Sequence, residues 1–269
     1  MENIKYALII ALSFHFVFNV DYALGWQTMI RPIVTAPIMG LILGDLRTGI
    51  IMGASLEAIY MGISPIGGSV PSDPTAAAVL AVAFVIIGGS DIETALALSL
   101  PIGTAAASVN SLTAPVHVYF STYFDKLAAE GKDRRFALLH VIYNFTIRRG
   151  AVTIVIFLAV AFGIDKVNQV LGMLPAFIQK GLSAAGGMLP AVGFGILISM
   201  IWTKKLGAYF FLGFVMVVYM KLPTLAIALI GSIIAIVELF RDMDLNEMKK
   251  QRQTASAAVN DDDEEDFFA

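Results

Sequence analysis

The stretch Gly40–Pro74, GLILGDLRTGIIMGASLEAIYMGISPIGGSVPSDP, limits what this chain can fold into more than any other. Asp45, Arg47, Glu57 and Asp73 stand there among apolar runs suited to lipid or to a buried core, with glycines at 40, 44, 49, 53, 62, 67 and 68 and prolines at 65, 71 and 74. An ionisable group facing lipid at membrane depth costs roughly 2.5–3.5 kcal/mol, so these residues together would cost about 10. They must therefore face water, one another or a ligand. Small residues let backbones approach closely, and broken helices are tolerated in a membrane only where protein or a cavity satisfies the freed groups. The stretch is a site hypothesis on physical grounds.

The rest of the chain is membrane-like. Of 269 residues, 58% are hydrophobic and 14% charged, against the roughly 25% charged of a soluble domain. Zero cysteines exclude a disulfide framework and thiolate chemistry. The net charge of −3 becomes +3 once the six negatives of Asp261–Asp266 are set aside, and no basic, aromatic-interleaved face suggests nucleic acid. The fold class is thus all-α and integral to a membrane, polytopic, with broken or re-entrant helices. Residues 1–240 are expected to form the membrane-embedded domain and 241–269 a charged, disordered cytoplasmic tail. No signal peptide is evident at the N-terminus.

Apolar runs at 6–20, 32–44, 49–64 and 75–89 mark successive helices, and 32–44 is too short to cross about 30 Å by itself. The segment 94–124 is uncharged and long enough for a span kinked at Pro101 and Pro115. The connector DKLAAEGKDRRF carries four basic residues and is expected on the cytoplasmic side. A crossing over 136–163 follows, with Arg148 and Arg149 suggesting an interfacial break. Residues 164–182 read as interfacial or re-entrant, 183–202 as a further crossing, and 206–220 with 222–240 as a last hairpin. Interrupted apolar segments in both halves point to a transporter binding site.

The run Gly40-x3-Gly44-Asp45-x3-Gly49-Ile50-Ile51-x-Gly53-Ala54-Ser55-Leu56-Glu57 resembles the signature of the mannose-family phosphotransferase-system (PTS) permease subunit IIC. Gly53-Ala54 departs mildly from that pattern, which usually has two adjacent glycines. Arg31-Pro32, Gly67-Gly68…Pro71-x-Asp73 and GGMLPAVGFGILISMI add to the likeness, which covers residues 5–240. The resemblance implies a core (transport) part that moves against a scaffold, as in related permeases. It implies a membrane partner, subunit IID, a trimer of IIC–IID pairs, and inward transport of a hexose, ketose or amino sugar. Phosphorylation would be carried by soluble IIB and IIA subunits, so the chain itself is expected to be no enzyme and to use no cofactor or metal. A multi-pass protein of the bacterial cytoplasmic (inner) membrane follows.

A sugar site needs convergent donors and acceptors, and carboxylates accept hydroxyl bonds strongly. Glu57 is the first candidate, against a purely structural bond to a neighbouring helix end. Asp73 either ligates sugar or caps the helix that starts near Thr75. Asp45 is a candidate too, although a buried pair with Arg47 holding the Gly-rich turn is the better reading. Gln27 and Asn110 complete the substrate-binding set. Arg31, Arg47, Gly44, Gly49 and Gly53 are expected to support it. His15, His117 and His140 have no nucleophile or paired acid near them in sequence and are expected to be structural. An ion- or proton-coupled secondary transporter acting without PTS partners, relaying protons through Asp45, Glu57 or Asp73, is the competing function.

Overall fold

The computed structural model describes residues 2–25, 28–63, 71–203 and 206–265, with side chains described between 4 and 249. All regular structure among these residues is helical. Among the described residues five helical stretches are long and apolar enough to cross a membrane: 4–23, 92–129, 133–173, 176–201 and 224–249. The chain divides into two compact units, Met1–Ile201 and Trp202–Ala269.

In the first unit α1 (Glu2–Ala23) is followed by two short helices, α2 (Pro32–Leu43) and α3 (Leu46–Tyr60). The 12 residues of α2 rise only about 18 Å, well short of a membrane core. Pro32 occupies its first turn, where a missing N–H costs nothing, and Gly44 ends it in the left-handed conformation at φ 86°. The two helices then cross almost backbone on backbone. A Cβ on Gly49 would lie 2.7 Å from the Ala36 carbonyl oxygen and 2.9 Å from the Gly40 Cα. On Gly53 it would meet Pro37 Cδ at 3.0 Å. The glycine spacing read in the sequence is thus the footprint of a tight antiparallel hairpin.

Helix α4 (Pro74–Ile86) is the centre of the unit. Ala76, Ala77, Ala78, Val79, Ala81, Val82 and Ala83 are all fully buried, so it is apolar on every side and small enough for α2 and the long α5 (Ile92–Ala129) to pack close. α6 (Asp133–Thr146) leads to a turn at 147–149, which separates it from α7 (Gly150–Leu158). A π-helical turn, Ala159–Gly163, continues into α8 (Ile164–Met173), and α9 (Ala176–Ile201) crosses α5 at Gly186 and α3 at Gly193. The basic connector expected over 125–136 is mostly helix: only 130–132 separate α5 from α6.

In the second unit α10 (Gly207–Val218) and α11 (Thr224–Glu265) form a hairpin, turned by Lys221 at φ 51°. The backbone stays helical to Glu265, through most of the charged stretch expected to be a disordered tail.

Candidate functional site

Two of the unit's short helices, α2 and α4, each begin at a carboxylate. An N-terminus presents unsatisfied N–H groups and a partial positive charge, so an acid there is stabilised. Asp73 caps its own helix: Oδ1 accepts the Thr75 and Ala76 N–H groups at 3.1 and 3.0 Å. For α2 the acid comes from elsewhere. Glu57 on α3 accepts the Ile33 N–H at 3.3 Å through Oε2. Each carboxylate also takes an arginine. Arg31 donates to Glu57 Oε1 through Nε at 2.9 Å and Nη2 at 2.5 Å, and Arg149 donates to Asp73 Oδ2 through Nη1 at 2.6 Å.

The two helix ends are tied together. The Thr75 hydroxyl donates to the Ile30 carbonyl at 2.8 Å, one residue before Arg31. The Asp73 N–H donates to the Gly103 carbonyl of α5 at 2.8 Å, and Asn110 Nδ2 reaches Asp73 Oδ2 at 3.2 Å. Asp73 is therefore where α4, α5 and the turn before α7 meet. Beside it opens a cavity of about 960 Å³, lined by Asp73, Asn110, Arg148 and Arg149 together with His117, Tyr143 and others. Aromatic faces back the cations: Arg149 lies 4.3 Å over the Phe18 ring and Arg148 5.0 Å over Tyr22.

Of the residues expected from the sequence, Asp73 and Asn110 meet at this cavity. Glu57 with Arg31 sits at the neighbouring helix end and is not among the cavity's lining residues. Gln27 and Trp26 lie outside the described residues, as do Gly67 and Gly68. Asp45 and Arg47 correct an expectation. Both are exposed, at the far end of α2 from Arg31, and no buried pair forms. Asp45 instead caps α3, accepting the Thr48 N–H at 3.0 Å and its hydroxyl at 2.6 Å. Local charge complementarity suggested the pair, but a helix start supplied the stronger competitor. Gly44, Gly49 and Gly53 shape the α2–α3 crossing and do not line the cavity.

Arg149 is the residue that sequence reading missed. Its pair with Arg148 reads as an interfacial break, and a break does occur there, yet Arg149 turns inward to a carboxylate 76 positions away. The available signal was charge balance: a buried Asp73 demands a cation, and few lie inside the apolar segments. The histidines all hold elements together. His15 bridges α1 to the Phe145 carbonyl at 2.6 Å and the Thr153 hydroxyl at 3.0 Å. His117 meets the Tyr143 hydroxyl at 2.5 Å, and His140 meets that of Tyr22 at 3.1 Å.

Comparison with known proteins settles what kind of membrane protein this is. The family model described as "PTS system sorbose-specific iic component" matches residues 4–237. The chain belongs to the mannose-family PTS IIC components. It is 30% identical to the sorbose-specific EIIC component of Klebsiella pneumoniae, over 85% of this chain and 86% of that one. It is also 30% identical to the N-acetylgalactosamine permease IIC component 1 of Escherichia coli (strain K12), over 94% and 92% of the two chains. A solved structure described as "Structure of membrane protein" superposes with a TM-score of 0.77 at 26% identity, covering 87% of this IIC subunit and 95% of that chain. One from the complex of the mannose transporter ManYZ with microcin E492 gives 0.54 at 27% identity, over 87% and 94%. This IIC subunit is a multi-pass, sugar-translocating permease component of the bacterial inner membrane, working with sugar and PTS partners.

Proposed function

We propose that the substrate is a hexose, ketose or amino sugar held in the cavity beside Asp73 and Asn110, with Glu57 and Arg31 shaping the adjoining helix end and Gln27 a further sugar contact on the sequence reading. The observation that carries this reading is the pair of short-helix N-termini, each with an acid and an arginine, beside a cavity large enough for a sugar. Half-helix ends of this kind are where transporters hold polar cargo. Buried hydroxyls need donors and acceptors in fixed places, and the arrangement offers both. Phosphoryl transfer belongs to soluble IIB and IIA subunits, a membrane IID subunit completes the translocation unit, and a trimer of IIC–IID pairs is the assembly.

The test is uptake of labelled sugar into vesicles. With IID present and phosphorylated soluble subunits added, sugar should accumulate as its phosphate. With this chain alone and a proton gradient, uptake should be absent. Proton-driven uptake by the chain alone would overturn the assignment of the partners' roles. Glu57→Gln and Asp73→Asn should each lower sugar binding by about tenfold or more if the site lies here, since each loses the charge that holds a helix end and its arginine in place. Unaltered binding in both would move the site elsewhere.

A further inference from the structure

Resting on that reading, we infer that Arg149, and not the carboxylate of Asp73, makes the direct polar contact to the sugar on this side of the cavity, and that it selects sugars bearing a planar oxygen acceptor: an N-acyl carbonyl or a carboxylate.

The acceptor capacity of Asp73 is already used. A carboxylate has about four lone-pair positions. Oδ1 holds two backbone N–H groups and Oδ2 holds Asn110 and Arg149. The backbone bonds define the start of α4, so they cannot be given up without unwinding that helix end. A sugar hydroxyl reaching for Asp73 would have to displace a side chain that is already in place.

Arg149 has the opposite balance. A guanidinium carries five N–H groups in a rigid fork. Arg31 commits one edge of its fork to Glu57, through Nε and Nη2 together. Arg149 touches Asp73 end-on, through Nη1 alone. Among the described residues this leaves an edge of the Arg149 fork for a two-point bond, and the side chain lines the cavity. The Phe18 ring at 4.3 Å and the Asp73 carboxylate hold the guanidinium plane from two directions, so little rotamer freedom remains to be lost on binding. A fork of donors is matched by a planar acceptor, whereas a tetrahedral hydroxyl uses only one of its prongs. Arg148, lining the same cavity, adds to its positive character.

Galactose, N-acetylgalactosamine and galacturonate differ only in the substituent offered: hydroxyls alone, an amide at one carbon, or a carboxylate at another. Equilibrium binding of each is measured on the full chain co-purified with its IID subunit, for the wild type and for Arg149→Lys. The lysine keeps the charge but loses the fork. The wild type should bind N-acetylgalactosamine or galacturonate at least about tenfold more tightly than galactose, consistent with a charge-assisted hydrogen bond. Arg149→Lys should collapse that ratio to within about threefold of one, the substituted sugar losing at least about three times more affinity than galactose. Which of the two substituted sugars wins identifies the carbonyl as amide or carboxylate. Equal losses for all three sugars would assign Arg149 a structural part only and overturn the inference. A wild-type ratio near one, or a ratio that survives the lysine, would also overturn it. If none of the three binds, the inference fails, and the vesicle uptake experiment above decides the permease reading separately.

Discussion

Asp73 concentrates the energetic argument because its bonds belong to three different elements. Its side chain is 5% exposed and that of Arg149 20%, so the pair is largely desolvated. Removing one partner leaves the other charged without compensation, which for a fully buried pair costs 3–5 kcal/mol. With Arg149 partly open to the cavity, Arg149→Met should cost about 2 kcal/mol in denaturation of the detergent-solubilised protein. The double variant Arg149→Met/Asp73→Asn should recover about 1 kcal/mol of the summed losses, because the two side chains share one bond. Strict additivity would show that the pair does not form. Asp73 itself was legible as cap or ligand from Ser72-Asp73-Pro74-Thr75, and the cap is what the backbone bonds display. Its arginine was not legible, since nothing local connects positions 73 and 149. Asp45 and Arg47 show the converse error, in which a local pair of charges was expected to be buried although both lie exposed at a helix start.

At the scale of elements, apolar run length and glycine spacing carried most of the information. The runs 32–44 and 75–89 became α2 and α4, nearly at the expected limits, because helix ends in this chain coincide with Pro, Gly and Asp. What could not be read was which helix would be central. The alanine content of α4 makes sense only once α2 and α5 are seen packed on it. The glycines of the α2–α3 crossing give a direct test. In Gly49→Ala the new Cβ meets two backbone neighbours that cannot swing aside, so a loss of about 1–3 kcal/mol is expected. Gly187→Ala in α9, with nothing near its Cβ, should change stability by less than about 0.5 kcal/mol.

Asp91, capping α5 just before its span, gives a pH-dependent case. Partial burial raises its pKa, but bonds from Thr94 and Ser183 outweigh this and hold it below the ordinary 3.8. A depressed carboxylate stabilises the fold above its ordinary pKa and loses that contribution as pH falls through the lower, folded value. Asp91→Ala should therefore cost about 1 kcal/mol at neutral pH. The gap to wild type should close only when the pH is taken well below 3.8. A constant gap across that range would mean the carboxylate charge contributes nothing.

For the whole molecule, the central claim is that a sugar enters the cavity beside Asp73. The chain contains no cysteine, so one introduced thiol reports from one place only. Ser111→Cys puts that thiol in the cavity lining, and Glu130→Cys, in the exposed 130–132 connector, serves as the reference. The measurement is the rate of maleimide labelling of each variant, co-purified with IID, with and without a saturating sugar that the complex imports. The expected result is labelling at Cys-substituted position 111 slowed about tenfold or more by the sugar, as for a site occupied most of the time, with the rate at position 130 unchanged. Equal rates at position 111 with and without sugar would contradict the account.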